Sequence, residues 1–331
     1  MQIVEDLPQG LSYPIMTIGV FDGLHFGHQE ILRRLVARAT EKNGTSVLLT
    51  FTPHPQKIIS PVDAPPLLQT FSQKAEMLSG LGIDVMVRLP FTRKLSLYSP
   101  EQFAKKILHC HGIREVYVGR NFRFGHRRKG DFHTLGKLGR ESHFSVHPIE
   151  PVRLRGIHVS STTIRQALKE GLTSLARRLL DRPYQIRGTV VRGSGRGSTI
   201  GYPTVNLDPE NELVPATGVY VTRALVDGVA HWGGTNIGYR PTVDSRHRNR
   251  PLVESHLFNL DRNLYGKSIG LEFFFRLRSE KKFDGVESLK QQIDRDILLV
   301  RKYAARAQIL SNSHALELSR RESRVSHQRR S

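Results

Sequence analysis

The sequence contains a single cysteine, Cys110, among its 331 residues. One thiol can form neither an intramolecular disulfide nor a cluster of thiolate ligands, so we predict a reducing compartment, with the cytoplasm as the default. No uninterrupted apolar run approaches the roughly 18 residues of a membrane span, and we expect no membrane role. The first ten residues, MQIVEDLPQG, also lack the charged and then apolar pattern of a secretion signal.

Acidic residues are scarce relative to basic ones. Fifty Lys and Arg against 30 Asp and Glu give a formal charge of +20, which favours polyanionic partners such as nucleic acids or nucleotides with several phosphates. The sequence has no paired Cys/His finger, no aromatic RNA-binding strand motif and no heptad zipper. Nucleic-acid binding therefore stays an alternative, and nucleotide substrates are the first hypothesis.

The first half of the chain alternates strand-like with helix-like segments, a pattern typical of a parallel sheet with crossover helices. Buried strands are predicted at PIMTIGV (14–20), SVLLTF from Ser46, IDVMVRL from Ile83 and EVYVG from Glu115. Between them, one helical face is formed by Ile31, Leu32, Leu35, Val36 and Ala39. A second helix, SPEQFAKKIL, begins with a capping box of Ser99 and Gln102. Ligands bind such sheets beyond the carboxyl ends of the strands.

From Tyr184 onward the pattern changes to strand-like pieces separated by Gly, Pro and Asn turns, which predicts an antiparallel β-barrel. Apolar residues at helical spacing between Val286 and Val300 predict one long final helix. We therefore predict three parts: a first domain over 1–182, a second over 183–310, and a disordered basic tail over 311–331, where the composition is polar and lacks an apolar period.

The stretch GVFDGLHFGHQEIL (19–32) places His25 and His28 at the start of the first predicted helix, directly after a buried strand. A strand, a glycine-containing loop and a helix N-terminus together form a phosphate-binding arrangement, and two imidazole N–H groups could stabilise charge on an attacked phosphorus. Surface or core histidines are the alternative. Zinc is a weaker one, because HExxH is absent and no third ligand is indicated.

The second candidate stretch is VSSTTIRQALKEG (159–171), which is rich in hydroxyl residues. These residues are typical of a helix N-cap, Arg165 lies early in the predicted helix, and Gly171 is a predicted C-cap. A well-capped helix would explain the serines without any function. In the second half, GSGRGSTIGYPTVNLD (193–208) has neither the Lys-Ser/Thr ending of a P-loop nor dinucleotide glycine spacing. Taken alone, this stretch is equally consistent with a flexible hairpin connection.

The order of several segments along the chain is more informative about function than any of these motifs alone. TIGVFDGLHFGHQ, LLTFTPHP, VGRNFRFGHRRKGD and VSSTTIRQAL, followed by GYPTVNLD, TNIGYRPT, LVESHLFNL and LYGKSIGLEFFFRLRSEKKFDGVESLKQQIDRDI, resemble bacterial bifunctional riboflavin kinase/FAD synthetases over nearly the whole chain before the tail. The resemblance implies an α/β nucleotidyltransferase domain with a Rossmann-like fold, then an antiparallel β-barrel with a long C-terminal helix. It also implies two activities: phosphorylation of riboflavin to FMN, and adenylylation of FMN to FAD.

For the first domain, the resemblance implies ATP contacts from Gly19, Phe21, Gly23, His25, His28, Ser160, Ser161, Thr162 and Arg165. Among these, His25, His28 and Arg165 would be catalytic through stabilisation of phosphate charge, while Asn121 and Phe122 would bind the flavin. The FMN phosphate, with a second pKa of about 6, is already mostly a nucleophilic dianion near pH 7 and needs no strong base. Positioning and charge neutralisation are then sufficient for catalysis.

For the second domain, the resemblance implies an ATP and Mg²⁺ site formed by Gly195, Gly201, Thr204 and Asn206, with Thr204 and Asn206 as the metal-binding pair. Glu254 would be the catalytic base that deprotonates the flavin hydroxyl, since an alcohol, unlike a phosphate, needs deprotonation. An ordinary solvent-facing strand glutamate is the alternative for Glu254. The expected small molecules are ATP, riboflavin and FMN, with Mg²⁺ as the cofactor.

Some features depart from the resemblance or fall outside it. Thr52 stands where the family often has an acidic residue, and Asp181 replaces a common glycine. The segment DSRHRNR (244–250) and the arginine-rich tail are unexplained and leave room for a nucleic-acid or protein contact. Two other functions remain open: a related adenylyl- or cytidylyltransferase with another acceptor, and a basic nucleic-acid-binding protein. The oligomeric state, including a homo-oligomer, stays open as well.

Overall fold

The computed structural model describes residues 1–108, 112–193, 195–239 and 251–328, with side chains up to Ile309 except that of Arg196. Cys110 and the segment DSRHRNR (244–250) lie outside these ranges. The chain divides into two compact units. The first comprises Met1–Gln166, Arg178–Arg182 and Asn211–Leu213, and the second comprises Ala167–Arg177, Pro183–Glu210 and Val214–Ser331.

This division differs from the predicted boundary at 182/183 in two short segments. Residues 167–177 belong to the second unit, where the Leu168 carbonyl accepts a hydrogen bond from the Ala216 amide at 3.0 Å. Residues 211–213 belong to the first unit, where the Asn211 amide nitrogen donates to Gln73 Oε1 at 3.0 Å. Both departures follow from hydrogen bonds between segments distant in sequence, which periodicity does not predict.

The first unit contains a six-stranded parallel sheet in the order β1-β4-β3-β2-β5-β8. Its strands are β1 (Gln2–Val4), β2 (Ile15–Ile18), β3 (Ser46–Thr52), β4 (Val85–Pro90), β5 (Glu115–Gly119) and β8 (Ser145–Ile149). Two small hairpins are β6 (Arg123–Phe124) with β7 (Gly130–Asp131), and β9 (Arg153–Leu154) with β10 (Ile157–His158). The predicted α/β class is confirmed, although the edge strands β1 and β8 were not predicted.

The helices of this part are α1 (Phe26–Glu41), α2 (Pro55–Ile59), α3 (Phe71–Gly80), α4 (Arg93–Ser96), α5 (Pro100–Phe103), α6 (Phe132–Glu141), α7 (Ser161–Lys169) and α8 (Thr173–Leu180). Residues 161–166 and 178–180 of α7 and α8 belong to the first unit. The predicted capping box at Ser99 is confirmed, since Ser99 Oγ accepts from the Gln102 amide at 3.2 Å. Helix α1 buries the predicted face: Ile31, Leu32, Leu35 and Ala39.

The sheet has an apolar layer on each side, because successive residues of a strand point to opposite faces. Ile15, Leu48 and Met86 pack with α1, whereas Met16, Leu49 and Val87 pack in the opposite layer. The chain runs from β2 to its neighbour β3, on to β4, and then returns to β5 on the other side of β2. This reversal of strand order creates a crevice at the carboxyl ends of β2 and β5.

The second unit is a closed barrel in the order β11-β12-β15-β14-β13-β16, antiparallel as predicted. Its elements are β11 (Tyr184–Val191), α9 (Arg196–Thr199), β12 (Val205–Pro209), β13 (Gly218–Val226), β14 (Val229–Tyr239), β15 (Pro251–Leu257), β16 (Ser268–Arg278) and α10 (Val286–Gln328). Three buried hydroxyls are hydrogen-bonded in a row inside the barrel. The Oγ1 atoms of Thr222 and Thr235 are 2.7 Å apart, and Thr235 Oγ1 donates to Ser255 Oγ at 2.8 Å.

The final helix is longer than predicted. The sequence predicts disorder over 311–331, whereas α10 continues as backbone helix to Gln328. Extending an existing helix is far less costly than starting one, so a polar segment without an apolar face can continue a helix that is anchored upstream. The anchor is Val300, which is buried beside Val221 and Phe274. Among the described residues, none of the helices has the length and apolar character needed to cross a membrane.

Candidate active sites

The loop after β2 occupies the crevice at the carboxyl edge of the sheet. Phe21, Gly23 and Leu24 have φ angles of 50°, 81° and 38°, so the chain turns sharply between the strand and α1. A Cβ added at Gly23 would lie 2.6 Å from Leu68 Cδ1. Glycine is required at this point both by the left-handed backbone and by the close approach of Leu68. The turn places His25 at the N-cap of α1.

His25 caps the helix with its ring. The His28 amide donates to His25 Nδ1 at 3.3 Å, so Nδ1 is an acceptor and the neutral ring carries its proton on Nε2. The two histidine rings stack at 3.6 Å between centroids and 16° between planes. His28 also packs against Phe21 at 4.8 Å, and its Nδ1 is buried without a hydrogen-bond partner.

Both histidines are neutral near pH 7. Burial lowers the pKa of His25 to about 4, with further lowering by His158 and Arg182. Burial likewise lowers the pKa of His28 well below its usual value, helped by His25 and Lys74. Neutral rings carry no positive charge, so toward a phosphate the pair could serve as hydrogen-bond donors and not as cations.

Asp22 and Arg165 form a buried ion pair beside these rings. The Asp22 carboxylate also accepts from the Leu68 amide at 3.0 Å, and Arg165 Nε donates to the Pro66 carbonyl at 2.8 Å. Burial raises the pKa of Asp22, while Arg165 and the Leu68 amide oppose that rise. No hydrogen bond to Arg165 Nη1 is found among the described residues, so this nitrogen is available to a ligand.

The three hydroxyl residues of VSSTTIRQAL that were predicted to contact ATP have different environments. Ser160 Oγ accepts from the Thr163 amide at 3.1 Å and is the N-cap of α7. Ser161 Oγ donates to the Asp22 carbonyl at 2.8 Å, and this bond ties α7 to the loop after β2. Thr162 is exposed. The capped-helix interpretation is therefore correct for Ser160, and the two motifs that the sequence placed at one site do lie together.

Two more polar groups border the same site and were not predicted. Lys74 donates from Nζ to the Val20 carbonyl at 2.8 Å. His54, at the N-cap of α2, accepts from the Gln56 amide through Nδ1 at 3.1 Å. Burial lowers the pKa of His54 to about 4, and the charges of Arg165 and Lys74 lower it further. Like His25, the neutral ring of His54 therefore carries its proton on Nε2.

Asn121 and Phe122 follow β5, the strand next to β2. Asn121 is exposed, and its Oδ1 lies 2.9 Å from the position of a Cβ added at Gly119. Phe122 stacks on Phe124 at 5.5 Å and 14°. Both residues are therefore at the carboxyl edge of the sheet, although within the described part of the chain no hydrogen bond or ring contact joins them to the histidine pair.

In the second unit, three predicted or neighbouring polar residues form one row across the outer face of the barrel. Asn206 of β12 is in register with Glu254 of β15, and Glu254 is in register with Asn236 of β14. Val253 and Ser255, which flank Glu254, are buried in the barrel interior. Because side chains alternate along a strand, Glu254 points outward, where it is half-buried.

Asn206 lies beneath the loop that follows β11. Its side chain is buried, and its Oδ1 has no hydrogen-bond partner. A Cβ added at Gly193 would lie 2.2 Å from Asn206 Nδ2, so only glycine fits above this amide. A Cβ at Gly197 would lie 3.2 Å from Thr204 Oγ1. Thr204 and Asn206 thus line one cradle under a glycine-rich loop.

The other two predicted glycines of this loop, Gly195 and Gly201, are needed for its backbone conformation and not for close packing. Gly195 and Gly201 have φ angles of 72° and 92°, and a Cβ at either would meet nothing within 4 Å. The end of the loop is held to α10, because the Tyr202 hydroxyl donates to Asp294 Oδ1 at 2.7 Å. No group of three His, Cys, Asp or Glu side chains suited to a metal ion occurs within the described ranges.

The comparisons with known proteins match the chain in two parts. The FAD synthetase family matches residues 8–163, and the riboflavin kinase family matches residues 180–304. A Bacillus subtilis protein named bifunctional riboflavin kinase/FMN adenylyltransferase is 35% identical over 289 residues, which are 85% of this chain and 90% of that protein. The chain belongs to the bifunctional riboflavin kinase/FMN adenylyltransferase family. The resemblance found in the sequence is thereby confirmed.

Other relatives extend the match. A Pseudomonas fluorescens member of the same name is 37% identical over 292 residues, covering 88% of this chain and 93% of its own. The crystal structure of a Streptococcus pneumoniae protein described as a macrolide-efflux protein has a TM-score of 0.83 at 27% identity, covering 89% of this chain and 96% of that chain. The shared fold thus extends over most of both chains.

Within the FAD synthetase domain, sequence reasoning found the histidine pair and the hydroxyl motif but gave no role to Asp22, Lys74 or His54. Asp22 and His54 were inside the quoted segments TIGVFDGLHFGHQ and LLTFTPHP, so their signal was present. Lys74 had no local signal, since it is one lysine on a short helix far from either motif. In the riboflavin kinase domain, Asn236 lay within TNIGYRPT and was likewise not singled out.

Proposed function

We propose that the chain converts riboflavin to FMN in its riboflavin kinase domain and FMN to FAD in its FAD synthetase domain, with ATP as the donor in both steps. One observation carries this proposal: a single chain holds two separate polar sites of different chemistry. The first has neutral imidazole donors and cations around a strand-to-helix loop. The second has an outward carboxylate, Glu254, in register with Asn206, whose buried Oδ1 has no hydrogen-bond partner.

In the first site, an oxygen of the FMN phosphate attacks the α-phosphorus of ATP, the bond to the β-phosphate oxygen breaks, and pyrophosphate leaves. The FMN phosphate is already a dianion near pH 7, so no base is required. His25 donates from Nε2 to a phosphate oxygen, and His28 supplies a second imidazole beside it. These fixed donors stabilise the charge that develops in the transition state.

Arg165 has a more specific role in this proposal. Its Nε and Nη2 are held by Pro66 and Asp22, which leaves Nη1 for a phosphate oxygen. Ser161 keeps the start of α7 against the loop, Ser160 caps this helix, and the exposed Thr162 hydroxyl is placed to reach the nucleotide. Gly19, Phe21 and Gly23 shape the loop that surrounds the phosphates, while Asn121 and Phe122 bind the flavin beyond β5.

In the second site, Glu254 accepts the proton of the riboflavin hydroxyl, and the alcohol oxygen then attacks the γ-phosphorus of ATP, which releases ADP. Gly195 and Gly201 allow the loop to lie close to the nucleotide. Since Asn206 is in register with Glu254, a nucleotide held beneath the loop lies next to the proposed base.

The cradle of the second site suits Mg²⁺. Asn206 Oδ1 is a buried carbonyl oxygen without a partner, and the Thr204 hydroxyl lines the same cradle. Neutral oxygen ligands of this kind complete a Mg²⁺ shell that is otherwise formed by phosphate oxygens and water. When bound, Mg²⁺ neutralises charge on the transferred phosphoryl group. The side chains of Thr204 and Asn206 therefore fit Mg²⁺, and in this proposal they bind it.

Product analysis tests the proposal. Purified chain is incubated with riboflavin, ATP and Mg²⁺, and separately with FMN, ATP and Mg²⁺, with the flavin supplied oxidised or reduced. We expect FMN and FAD from the first mixture and FAD with pyrophosphate from the second. If folded protein forms neither product in any mixture, the assignment is wrong.

Location and other partners are separate proposals. The single cysteine supports a cytoplasmic enzyme. The excess of basic residues keeps a nucleic-acid contact open for the tail, and salt-sensitive retention of nucleic acid by the full chain, lost on removing residues 311–331 while flavin synthesis persists, would make it an accessory property. Sedimentation of the full chain tests whether it forms a homo-oligomer.

A further inference from the structure

Lys74 lies at the first site but belongs to none of the motifs that predicted it. It is the fourth residue of α3, and its Nζ donates to the carbonyl of Val20, which sits in the loop after β2. The same carbonyl accepts from Thr50 Oγ1 at 3.1 Å. The ammonium group is therefore held against the backbone of the loop that leads to the histidine pair.

The surroundings of Lys74 combine burial with charge. Burial lowers the pKa of Lys74 to about 8, and Asp22 opposes this effect. In turn, the charge of Lys74 lowers the pKa of both His28 and His54. One ammonium thus lies within electrostatic reach of Asp22 and of two imidazoles that belong to three different segments.

The hydrogen bonds of the ammonium are incomplete. An ammonium has three N–H donors, and the Val20 carbonyl is the acceptor found for Lys74 among the described residues. Among the described residues no hydrogen bond joins Lys74 to Asp22, whose carboxylate binds Arg165 and the Leu68 amide. A half-desolvated cation with unused donors is costly unless an anion satisfies them.

The charge balance points the same way. The Asp22 carboxylate is paired with Arg165, and Glu212, which also acts on His54, is paired with Lys57. Lys74 adds a further cation within reach of Asp22, and the neighbouring histidines are neutral, so Lys74 adds positive charge to this site. A ligand with several negative charges would be bound more strongly than one with a single charge.

We propose that Lys74 is a phosphate-binding residue of the FAD synthetase domain, and that it donates to the ATP triphosphate and stabilises the charge that develops on the departing pyrophosphate. This inference rests on the proposed adenylyl transfer. It adds a cation to a site whose histidines are neutral donors, and it gives a role to the partly buried lysine beside them.

The first test compares Lys74→Met and Lys74→Gln with wild type and with Lys42→Met. Glutamine keeps a donor for the Val20 carbonyl but removes the charge. Lys42 is the C-cap residue of α1, about 26 Å along the helix from His25. We expect kcat/KM for FAD formation from supplied FMN to fall about 100-fold in both Lys74 variants. FMN formation from riboflavin by the same preparations, and both activities of Lys42→Met, should stay within about twofold of wild type.

The second test needs no substitution. Wild-type protein is acetylated near pH 8 with and without inorganic tripolyphosphate, and the modified lysines are located by mass spectrometry. We expect Lys74 to be modified and tripolyphosphate to protect it, while Lys42 stays equally reactive. If tripolyphosphate protects Lys74 but the chain forms no FAD, Lys74 binds phosphates as proposed, and it is the proposed adenylyl transfer that is wrong.

Two results overturn the inference. One is a wild-type chain that forms FAD while Lys74→Gln forms it within threefold as efficiently. The other is a Lys74 whose acetylation is unchanged by tripolyphosphate. If a Lys74 variant loses folded structure, the acetylation experiment alone decides.

Discussion

Arg165 and Asp22 pair in a buried position, where one side chain comes from the start of α7 and the other from the loop after β2. The same loop is bound to α7 a second time by the bond from Ser161 to the Asp22 carbonyl. Two segments separated by more than 130 residues in the chain are therefore joined at the proposed ATP site. The ion pair fixes the orientation of Arg165, and its remaining nitrogen, Nη1, is the one that we propose binds the ATP phosphates.

Asp22→Ala should destabilise the first domain by about 3–5 kcal/mol, because it leaves the Arg165 guanidinium buried without its counter-charge. Differential scanning calorimetry of the full chain measures the change. Glu41→Gln removes an exposed carboxylate paired with Arg38 and should change stability by less than about 1 kcal/mol. An Asp22→Ala protein as stable as Glu41→Gln would contradict the buried pair.

Acid should destabilise the first domain through His25. Its pKa is about 4 in the folded chain and 6.5 as the reference value, so the unfolded chain binds more protons between these values. The stabilisation from the neutral ring is therefore complete above about pH 6.5 and lost as pH falls toward 4, by up to about 3 kcal/mol. His25→Asn keeps a capping side chain but cannot titrate. Unfolding at pH 7 and pH 4.5 should show a smaller acid loss in His25→Asn, and an equal loss would contradict the assignment.

Glu254→Gln should lower kcat for FMN formation by about 10²–10⁴-fold, since the amide cannot accept the proton of the flavin hydroxyl. FAD formation from supplied FMN should be unchanged, because the other site does not use this residue. Glu287→Gln, in the first turn of α10, is the matched control and should retain both activities. Equal loss of the two activities in Glu254→Gln would argue against separate sites.

Asn206→Ala should raise the Mg²⁺ concentration needed for half-maximal FMN formation by about tenfold, because a neutral oxygen ligand is lost. Asn206→Asp restores an oxygen at this position and should recover part of the affinity. The measurement is a Mg²⁺ titration at fixed ATP and riboflavin, and FAD formation from FMN provides the internal control. An unchanged Mg²⁺ requirement in Asn206→Ala would exclude this residue as a ligand.

His28→Ala should suppress FAD formation and spare FMN formation, the reverse of Glu254→Gln. We expect a fall of about 100-fold in kcat for adenylyl transfer, the usual scale for losing one fixed donor. His28→Gln retains a side-chain N–H and should be less impaired. Assaying both activities in one preparation distinguishes this result from misfolding, and a His28→Ala protein with normal FAD formation would remove the histidine from the mechanism.

Much of the fold could be predicted from the sequence because its elements have strong local signals. The four central strands are continuous apolar runs, α1 has an apolar face at helical spacing, and the second half has the turn residues of a barrel. The edge strands β1 and β8 were missed, since Gln2–Val4 and Ser145–Ile149 are short and partly exposed. The helical backbone beyond residue 310 was missed because helix propagation depends on what precedes a segment.

The candidate sites were predictable to the extent that their residues lie in short motifs. His25 and Ser161 come from such motifs, and the sheet topology brings them to one loop. Asp22 could be named only when its partner Arg165 was placed, because a carboxylate in a motif has no preferred role by itself. Lys74 depends entirely on tertiary structure, and the neutral state of the histidines depends on burial that no spacing reveals.

The helix cap at His25 also decides what this ring can do. A carboxylate at Nδ1, the usual orienting partner of a catalytic histidine, would hold the proton on Nδ1 and leave Nε2 as a base. Here a backbone amide donates to Nδ1, which selects the opposite tautomer of the neutral ring. The proton is therefore on Nε2, which can only donate. The orientation is achieved without placing another negative charge near a polyanionic substrate. As long as the His25 ring caps α1 through Nδ1, it cannot be a general base through Nε2.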